Sequence, residues 1–170
     1  ATFTGGSGAV AMLLTDGSFA GTTGHRLLGT VSRVAMEHHR LCRWGLEPVS
    51  GQQHLQYMST DAVSVLKYGV QLGFETWQVF LPEMGWTAAQ VDRVICHQVG
   101  SGHQDAILRS LQLPKDKDYT TYRFLGNMGT AALPVTAAIA EERGVIKAGQ
   151  RVGFLCIGSG LTCLMMGLEW

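Results

Sequence analysis

Three stretches of this 170-residue chain carry polar groups at sharp turns of an otherwise apolar backbone. In "RVICHQVGSG" (residues 93–102) an apolar run ends in His97 and Gln98, and a Gly-Ser-Gly loop follows. In "FLGNMGTAAL" (residues 124–133) Asn127 stands in the quartet Gly126-Asn127-Met128-Gly129, just ahead of an Ala-rich run. In "CIGSGLT" (residues 156–162) Gly158-Ser159-Gly160 joins two apolar runs. A histidine at a strand end and near a helix N-terminus is held neutral, because the positive helix end disfavours the imidazolium. A neutral ring donates from one nitrogen and accepts at the other. An amide side chain in a glycine-lined turn can donate to a developing oxyanion, and so can backbone N–H groups of a tight loop. Each feature also has a plainer reading: a histidine bonded to a carbonyl, an asparagine that tolerates a left-handed turn, a hairpin turn. Taken singly, none of the three separates the two readings.

The elements expected to carry these groups alternate in type. Residues 6–16 read as a buried strand ended by Asp16-Gly17, and residues 25–36 as a second strand antiparallel to it. Residues 37–58 show no clear period and read as a long loop. From residue 59 to 86 the spacing is helical, with Val63, Leu66, Val70 and Trp77 on one face, Ser59 or Thr60 as cap, and Pro82 limiting the end. Residues 91–96 form a short buried strand. Residues 101–113 form a helix with Ile107, Leu108 and Leu111 on one face and Ser101 near its cap. Residues 119–122 are expected as a short strand. Residues 130–144 read as an Ala-rich helix, with Pro134 in its first turn and Gly144 ending it. Residues 151–170 read as two strands around Gly158-Ser159-Gly160. The order argues for α/β layering around a mixed sheet.

Composition narrows the function. Apolar residues make up 46% of the chain and charged residues 15%, against about 25% charged in an ordinary soluble domain. So small a charged fraction points to area hidden against another polypeptide. Thirteen basic residues balance thirteen acidic ones, and no basic run points to nucleic acid. No apolar run approaches the roughly 18 residues of a membrane span. Cys42, Cys96, Cys156 and Cys163 include no CxxC pair, which reads as reduced thiols in a cytoplasmic protein. His38 and Cys42 have a spacing seen in metal sites, but two ligands do not make one, and no metal is expected. The opening "ATFTGGSGAVAMLL" reads as a start in mid-structure.

Taken together, "CHQVG", "GNMGTAALP" and "GIGSGLTCLMMGLEW" resemble the C-terminal half of the thiolase-fold condensing enzymes, including the ketoacyl-ACP synthase III group. The resemblance covers essentially all of residues 1–170 and implies one half of a thiolase-like α/β fold, with a mixed five-stranded sheet packed with helices. It implies a Cys-His-Asn triad in which His97 and Asn127 are the second and third members. It implies a backbone N–H of Ser159 as oxyanion donor, with Gly100, Gly126, Gly158 and Gly160 lining the substrate. Synthase III enzymes usually follow His-Gln with Ala-Asn. Val99-Gly100 stand there instead, which removes the usual Asn contact to the pantetheine arm. "HQVG", "GIGSG" and "RVAMEHHRLC" are similar to OleA-type enzymes, which join two long-chain acyl-CoAs head to head into a 2-alkyl-3-keto acid for olefin or β-lactone synthesis.

The triad's nucleophile has no candidate here. Cys96 neighbours His97 on a strand, so its thiol aims at the opposite face; Cys156 and Cys163 read as core, and Cys42 as a loop residue. The resemblance therefore implies an N-terminal half carrying the Cys on another polypeptide, a two-fold dimer of such pairs, and coenzyme A thioesters as substrates with no further cofactor. It also implies a Glu base from a neighbouring subunit's N-terminal half. Two alternatives stay open: decarboxylative condensation with malonyl-ACP, and a non-catalytic subunit that stabilises a partner ketosynthase.

Overall fold

The computed structural model describes residues 4–18, 24–49 and 54–170. In chain order its elements are β1 (Arg26–Val34), β2 (Cys42–Pro48), β3 (His54–Thr60), α1 (Ala62–Met84), β4 (Arg93–Cys96), α2 (Ser101–Ser110), α3 (Tyr122–Leu125), α4 (Ala132–Glu142), β5 (Arg151–Gly158) and β6 (Thr162–Glu169). Four strands form one mixed sheet in the order β1-β6-β5-β4. β6 runs antiparallel to both β1 and β5, while β5 is parallel to β4. β2 and β3 pair as a separate antiparallel hairpin.

The apolar runs of β4 and β5 explain why these strands lie inside the sheet's covered part. A strand buried on both faces needs apolar residues at consecutive positions, and Val152 to Leu155 are all buried. Val94, Cys96 and Leu155 pack with Leu72, Trp77 and Phe80 of α1 and Leu108 of α2. Ile95, Val152 and Phe154 pack on the other face with Ala137 and Ala140 of α4. Helices thus cover both sides of the sheet. Gly29 and Gly167 are paired across β1 and β6, and a Cβ at either would collide with Met84. Their bare backbone lets the end of α1 lie close on the sheet.

Helix α1 differs in detail from its expected form. Its cap is Asp61, whose side chain accepts from the Ser64 N–H at 3.0 Å. Ser59 and Thr60 are instead paired with Arg43 and Cys42 in the hairpin. The buried stripe is Gly69, Leu72, Gly73, Thr76, Trp77 and Phe80, so of the expected face only Trp77 belongs to it; Val63 is 80% exposed. Pro82 sits in the last turn, and the helix ends at Gly85 (φ 64°), which donates to the carbonyls of Leu81 and Pro82.

Three other expectations fail. Residues 6–16 form no strand: the one bridge beside them is made by Gly5, with Asn127, and Met12, Leu13 and Leu14 are exposed. Among the described residues the main sheet therefore has four strands rather than five, and β1 pairs with β6 instead of with this segment. An apolar run signals a need for cover; it does not supply the neighbouring strand. The described part of residues 37–58 is not a long loop but holds β2 and most of β3, with Cys42 opening β2. Their period was hidden because Trp44, Leu46, Leu55 and Met58 are exposed rather than turned into a core. Residues 119–122 form no strand either. The Gln98 side chain captures the N–H groups of Thr121 (2.8 Å) and Tyr122 (3.1 Å) that a ladder needs, and the chain turns into α3.

A buried carboxylate fastens this last segment to the sheet. Asp118 accepts the Cys96 N–H at 3.0 Å and the Gln104 amide at 2.9 Å. Burial pushes its pKa from 3.8 up to about 6, against the pull of those hydrogen bonds. Between these two values the folded chain keeps a proton that the unfolded chain has lost, so this group's contribution to stability falls as pH rises through the window. His97 and His103, whose pKa values are lowered from 6.5 by burial, act in the opposite sense, so the carboxylate must be isolated by comparison. In urea melts, Asp118→Asn gains stability relative to the parent chain between pH 3.8 and about 6, by on the order of 3 kcal/mol. A pH-independent difference between the two would show that Asp118 titrates at its ordinary value.

Candidate active site

The parallel pairing of β4 and β5 decides where the polar groups of the three motifs go. The chain leaves the carboxyl end of β4, descends through α2, and returns through α4 to the start of β5. α4 must therefore run against the strands, with its N-terminus at their carboxyl ends. His97 follows β4, Asn127 precedes α4, and Ser159 follows β5, so all three belong to one end of the sheet. Ligand sites of open α/β sheets gather at that end.

His97 donates its backbone N–H to the Leu155 carbonyl at 3.0 Å, extending the parallel ladder one residue past Cys96. Its Nδ1 is buried and has no hydrogen-bond partner among the described residues. Burial lowers its pKa below 6.5, and the imidazole of His103, in the first turn of α2, lowers it further. The ring is thus neutral at neutral pH. Desolvation comes first among the causes, where the sequence pointed to the helix end.

Asn127 is held by its backbone on both sides. Its N–H donates to the Thr4 carbonyl and its carbonyl accepts from the Gly6 N–H, both at 2.8 Å. Its Oδ1 accepts the Gly129 N–H at 3.0 Å, so the amide NH2 is the end left to donate outward. Gly126 is required here twice over: its φ is 67°, and a Cβ would stand 2.8 Å from the Thr4 oxygen.

Ser159 is exposed in the turn between β5 and β6. Beyond that turn, Leu161 and Ala35 exchange backbone hydrogen bonds at 3.0 and 2.8 Å, tying the hairpin to the end of β1. An open groove of about 620 Å³ runs along Thr4, Gly5, residues 99–101 and residues 122–126. It brings Gly100 and Gly126 together. His97, Asn127, Ser159, Gly158 and Gly160 do not line it.

No cysteine at this end resembles an activated nucleophile. Burial and the adjacent Asp118 raise Cys96 well above 9.0; burial raises Cys156 and lifts Cys163 to about 11. A thiol so shifted is almost wholly protonated. Cys42 lies at the hairpin, its Sγ 3.5 Å from Thr60 Oγ1. Among the described residues no cluster of three or more His, Cys, Asp or Glu could hold a metal ion.

Sequence reasoning passed over Gln98, Gln104 and Asp118. Gln98 is 1% exposed: its Nε2 donates to the Cys96 carbonyl at 2.6 Å while its Oε1 takes the two N–H groups of Thr121 and Tyr122. The available signal was a glutamine directly after an apolar strand, a position where an unpaired amide is costly. The two N–H partners of its Oε1 lie more than twenty residues away and no spacing reveals them.

Residues 81–170, just over half of the chain, match the family model described as 3-oxoacyl-[acyl-carrier-protein] synthase III C terminal. Over its whole length the chain is 51% identical to an acyl-CoA:acyl-CoA alkyltransferase of Shewanella oneidensis, of which it covers 49%. It is 32% identical over 100% of its length to a protein of the same name from Xanthomonas campestris, covering 47% of it. It is 28% identical over 99% of its length to a beta-ketoacyl-[acyl-carrier-protein] synthase III of Dinoroseobacter shibae, covering 51% of that protein. Among solved structures, Xanthomonas campestris OleA with bound lauric acid and lauroyl-CoA matches with a TM-score of 0.74 at 32% identity, over 86% of this chain and 41% of that one. The chain spans about half the length of the curated relatives it matches. Its helix-covered mixed sheet is thiolase-like, and the chain belongs to the family of 3-oxoacyl-[acyl-carrier-protein] synthase III C-terminal domains.

Proposed function

We propose that this chain supplies the oxyanion donors for a Claisen condensation of two acyl thioesters, with the nucleophilic cysteine coming from the amino-terminal half of the same family. One observation carries the reading: a half-buried, neutral His97 with its Nδ1 shut off from solvent stands at the sheet end where Asn127 presents its amide, and no activated thiol accompanies them. Such a pair suits a developing negative charge and cannot itself hold an acyl group. In the first half-reaction the partner half's thiolate attacks an acyl thioester, expels its thiol and retains the acyl group. The second thioester then loses an α-proton to a base of the amino-terminal half. Its enolate oxygen is stabilised by N–H donation from His97 and Asn127. The α-carbon attacks the acyl-cysteine carbonyl, whose oxygen takes the Ser159 N–H, and collapse expels the cysteine thiolate. The product is a 2-alkyl-3-ketoacyl thioester, and its hydrolysis leaves the keto acid. The relatives named acyl-CoA:acyl-CoA alkyltransferase support two acyl-CoAs as the substrate pair. The exposed Val10, Met12, Leu13 and Leu14 support a large apolar face that the amino-terminal half covers.

The substrate pair is tested by products. The complete enzyme forms the 2-alkyl-3-keto product from acyl-CoA alone, measured by mass spectrometry. Product that appears only when malonyl-ACP is added would assign decarboxylative condensation instead. Absence of product under both conditions, with a folded complex, would leave this half a stabilising subunit.

His97→Ala lowers condensation by about 100-fold or more while the acyl-enzyme still accumulates, as read from intact mass. Asn127→Asp acts alike, since a carboxylate there faces the enolate with a negative charge. Loss of acylation together with condensation would show that His97 mainly activates the nucleophile.

At Ser159 the proposed donor is backbone. Ser159→Ala stays within about 3-fold of the parent and Ser159→Pro, which removes the N–H, loses about 100-fold. Equal losses in both would move the role to the hydroxyl.

A further inference from the structure

The side chains of Gln98, Gln104, Asp118 and Tyr122 close a ring around the backbone of Cys96. Asp118 Oδ1 accepts the Cys96 N–H at 3.0 Å, and Gln98 Nε2 donates to the Cys96 carbonyl at 2.6 Å. The other ends of these side chains reach across the gap. Gln98 Oε1 takes the Tyr122 N–H, Asp118 Oδ2 takes the Gln104 amide, and Gln104 Oε1 takes the Tyr122 hydroxyl at 3.2 Å. Gln98 and Gln104 are 1% and 7% exposed, so water has little access to their amides, and only the Tyr122 edge of the ring is part-buried. The segment so gripped is also tied to α4, through Thr121 Oγ1 and Thr136 Oγ1 at 2.6 Å.

The ring has a geometric consequence. His97 lies between Cys96 and Gln98, both held by it. Asn127 lies five residues beyond Tyr122, on a backbone pinned at its far side to Thr4 and Gly6. No hydrogen bond joins His97 directly to Asn127 among the described residues, and this ring is a hydrogen-bonded link between the backbones that carry them. A buried network with every member satisfied is stiff, and a buried member left unpaired is costly. Mere attachment of the segment to the sheet needs fewer bonds: Arg93 already holds it from outside, through Nη1 to the Asp116 carbonyl at 2.7 Å.

We infer that Asp118, with Gln98, Gln104 and Tyr122, is a positioning residue that fixes His97 and Asn127 at the separation one enolate oxygen requires. This rests on the oxyanion roles proposed above. The ring touches neither substrate nor reacting atoms. Its effect should fall on the second half-reaction, because the first does not use the two donors together.

The test follows both half-reactions in the complete enzyme by intact mass and product formation. Asp118→Ala opens the ring at two bonds. Condensation falls by about 100-fold through kcat, the loss expected for a misplacement of about 1 Å, while KM and acylation stay within about 3-fold of the parent. Asp118→Asn keeps an acceptor for the Cys96 N–H and meets Gln104 once that amide turns over, and it restores condensation to within about 3-fold. Tyr122→Phe removes a single hydroxyl from a part-buried edge of the ring and still folds; it loses about 5-fold in condensation alone. If Asp118→Ala fails to fold, Tyr122→Phe and Asp118→Asn decide. Parent-like condensation in Tyr122→Phe, or equal loss of both half-reactions in the folded variants, overturns the inference. Failure of the underlying reading looks different: His97→Ala would then keep condensing. If His97→Ala abolishes condensation while the ring variants retain it, only the positioning role is wrong.

Discussion

The parallel pairing of β4 with β5 is the constraint on which the rest of the site depends. Two adjacent parallel strands cannot be joined by a hairpin; the chain must cross back over the sheet. Here the crossover carries α2, the segment gripped by Gln98, and α4. It therefore delivers the end of β4, the start of α4 and the end of β5 to one edge of the molecule. The pairing is stable because consecutive apolar residues of β5 are covered on both faces, by Phe80 and Leu72 on one side and Ala137 and Ala140 on the other. The apolar core and the polar site are consequences of one arrangement of strands.

Burial at that end acts on each ionisable group in the same direction, toward its neutral form. It lowers His97 and raises Asp118, Cys96, Cys156 and Cys163. A neutral imidazole is suited to donate a hydrogen bond, whereas a protonated thiol is unsuited to attack. The same desolvation that prepares His97 therefore disqualifies the cysteines beside it. This is the physical argument behind the proposed division, with the donors on this half of the family's fold and the nucleophile on the other. The exposed apolar side chains between Val10 and Leu14 and along the edge strand β1 fit that division.

Much of the fold was legible in the chain's own pattern. The strands at residues 91–96 and 151–170 and the helices at residues 101–113 and 130–144 follow from apolar periods bounded by Gly, Pro and Ser. The His-Gln, Gly-Asn-x-Gly and Gly-Ser-Gly motifs fall at one end of the sheet, because turn-forming residues next to apolar runs locate strand and helix termini. The β2–β3 hairpin was missed because its apolar residues are exposed and so carry no buried alternation. The strand assigned to residues 6–16 had the right composition but finds no ladder beside it.

What these residues settle locally is the type and the ends of most elements, since dihedral preference, capping and periodicity are properties of sequential neighbours. Gly126 before Asn127 and Gly85 after α1 are cases where one residue suffices, each at a backbone angle that favours glycine. The partners of each polar group were decided by packing. Gln98 meets Thr121, Asp118 meets Cys96, and His97 meets Leu155 across gaps of 22 to 58 positions, and no local preference spans that distance. The neutral state of His97 belongs to the same class, because desolvation comes from whatever the fold closes around a group rather than from the residues on either side of it.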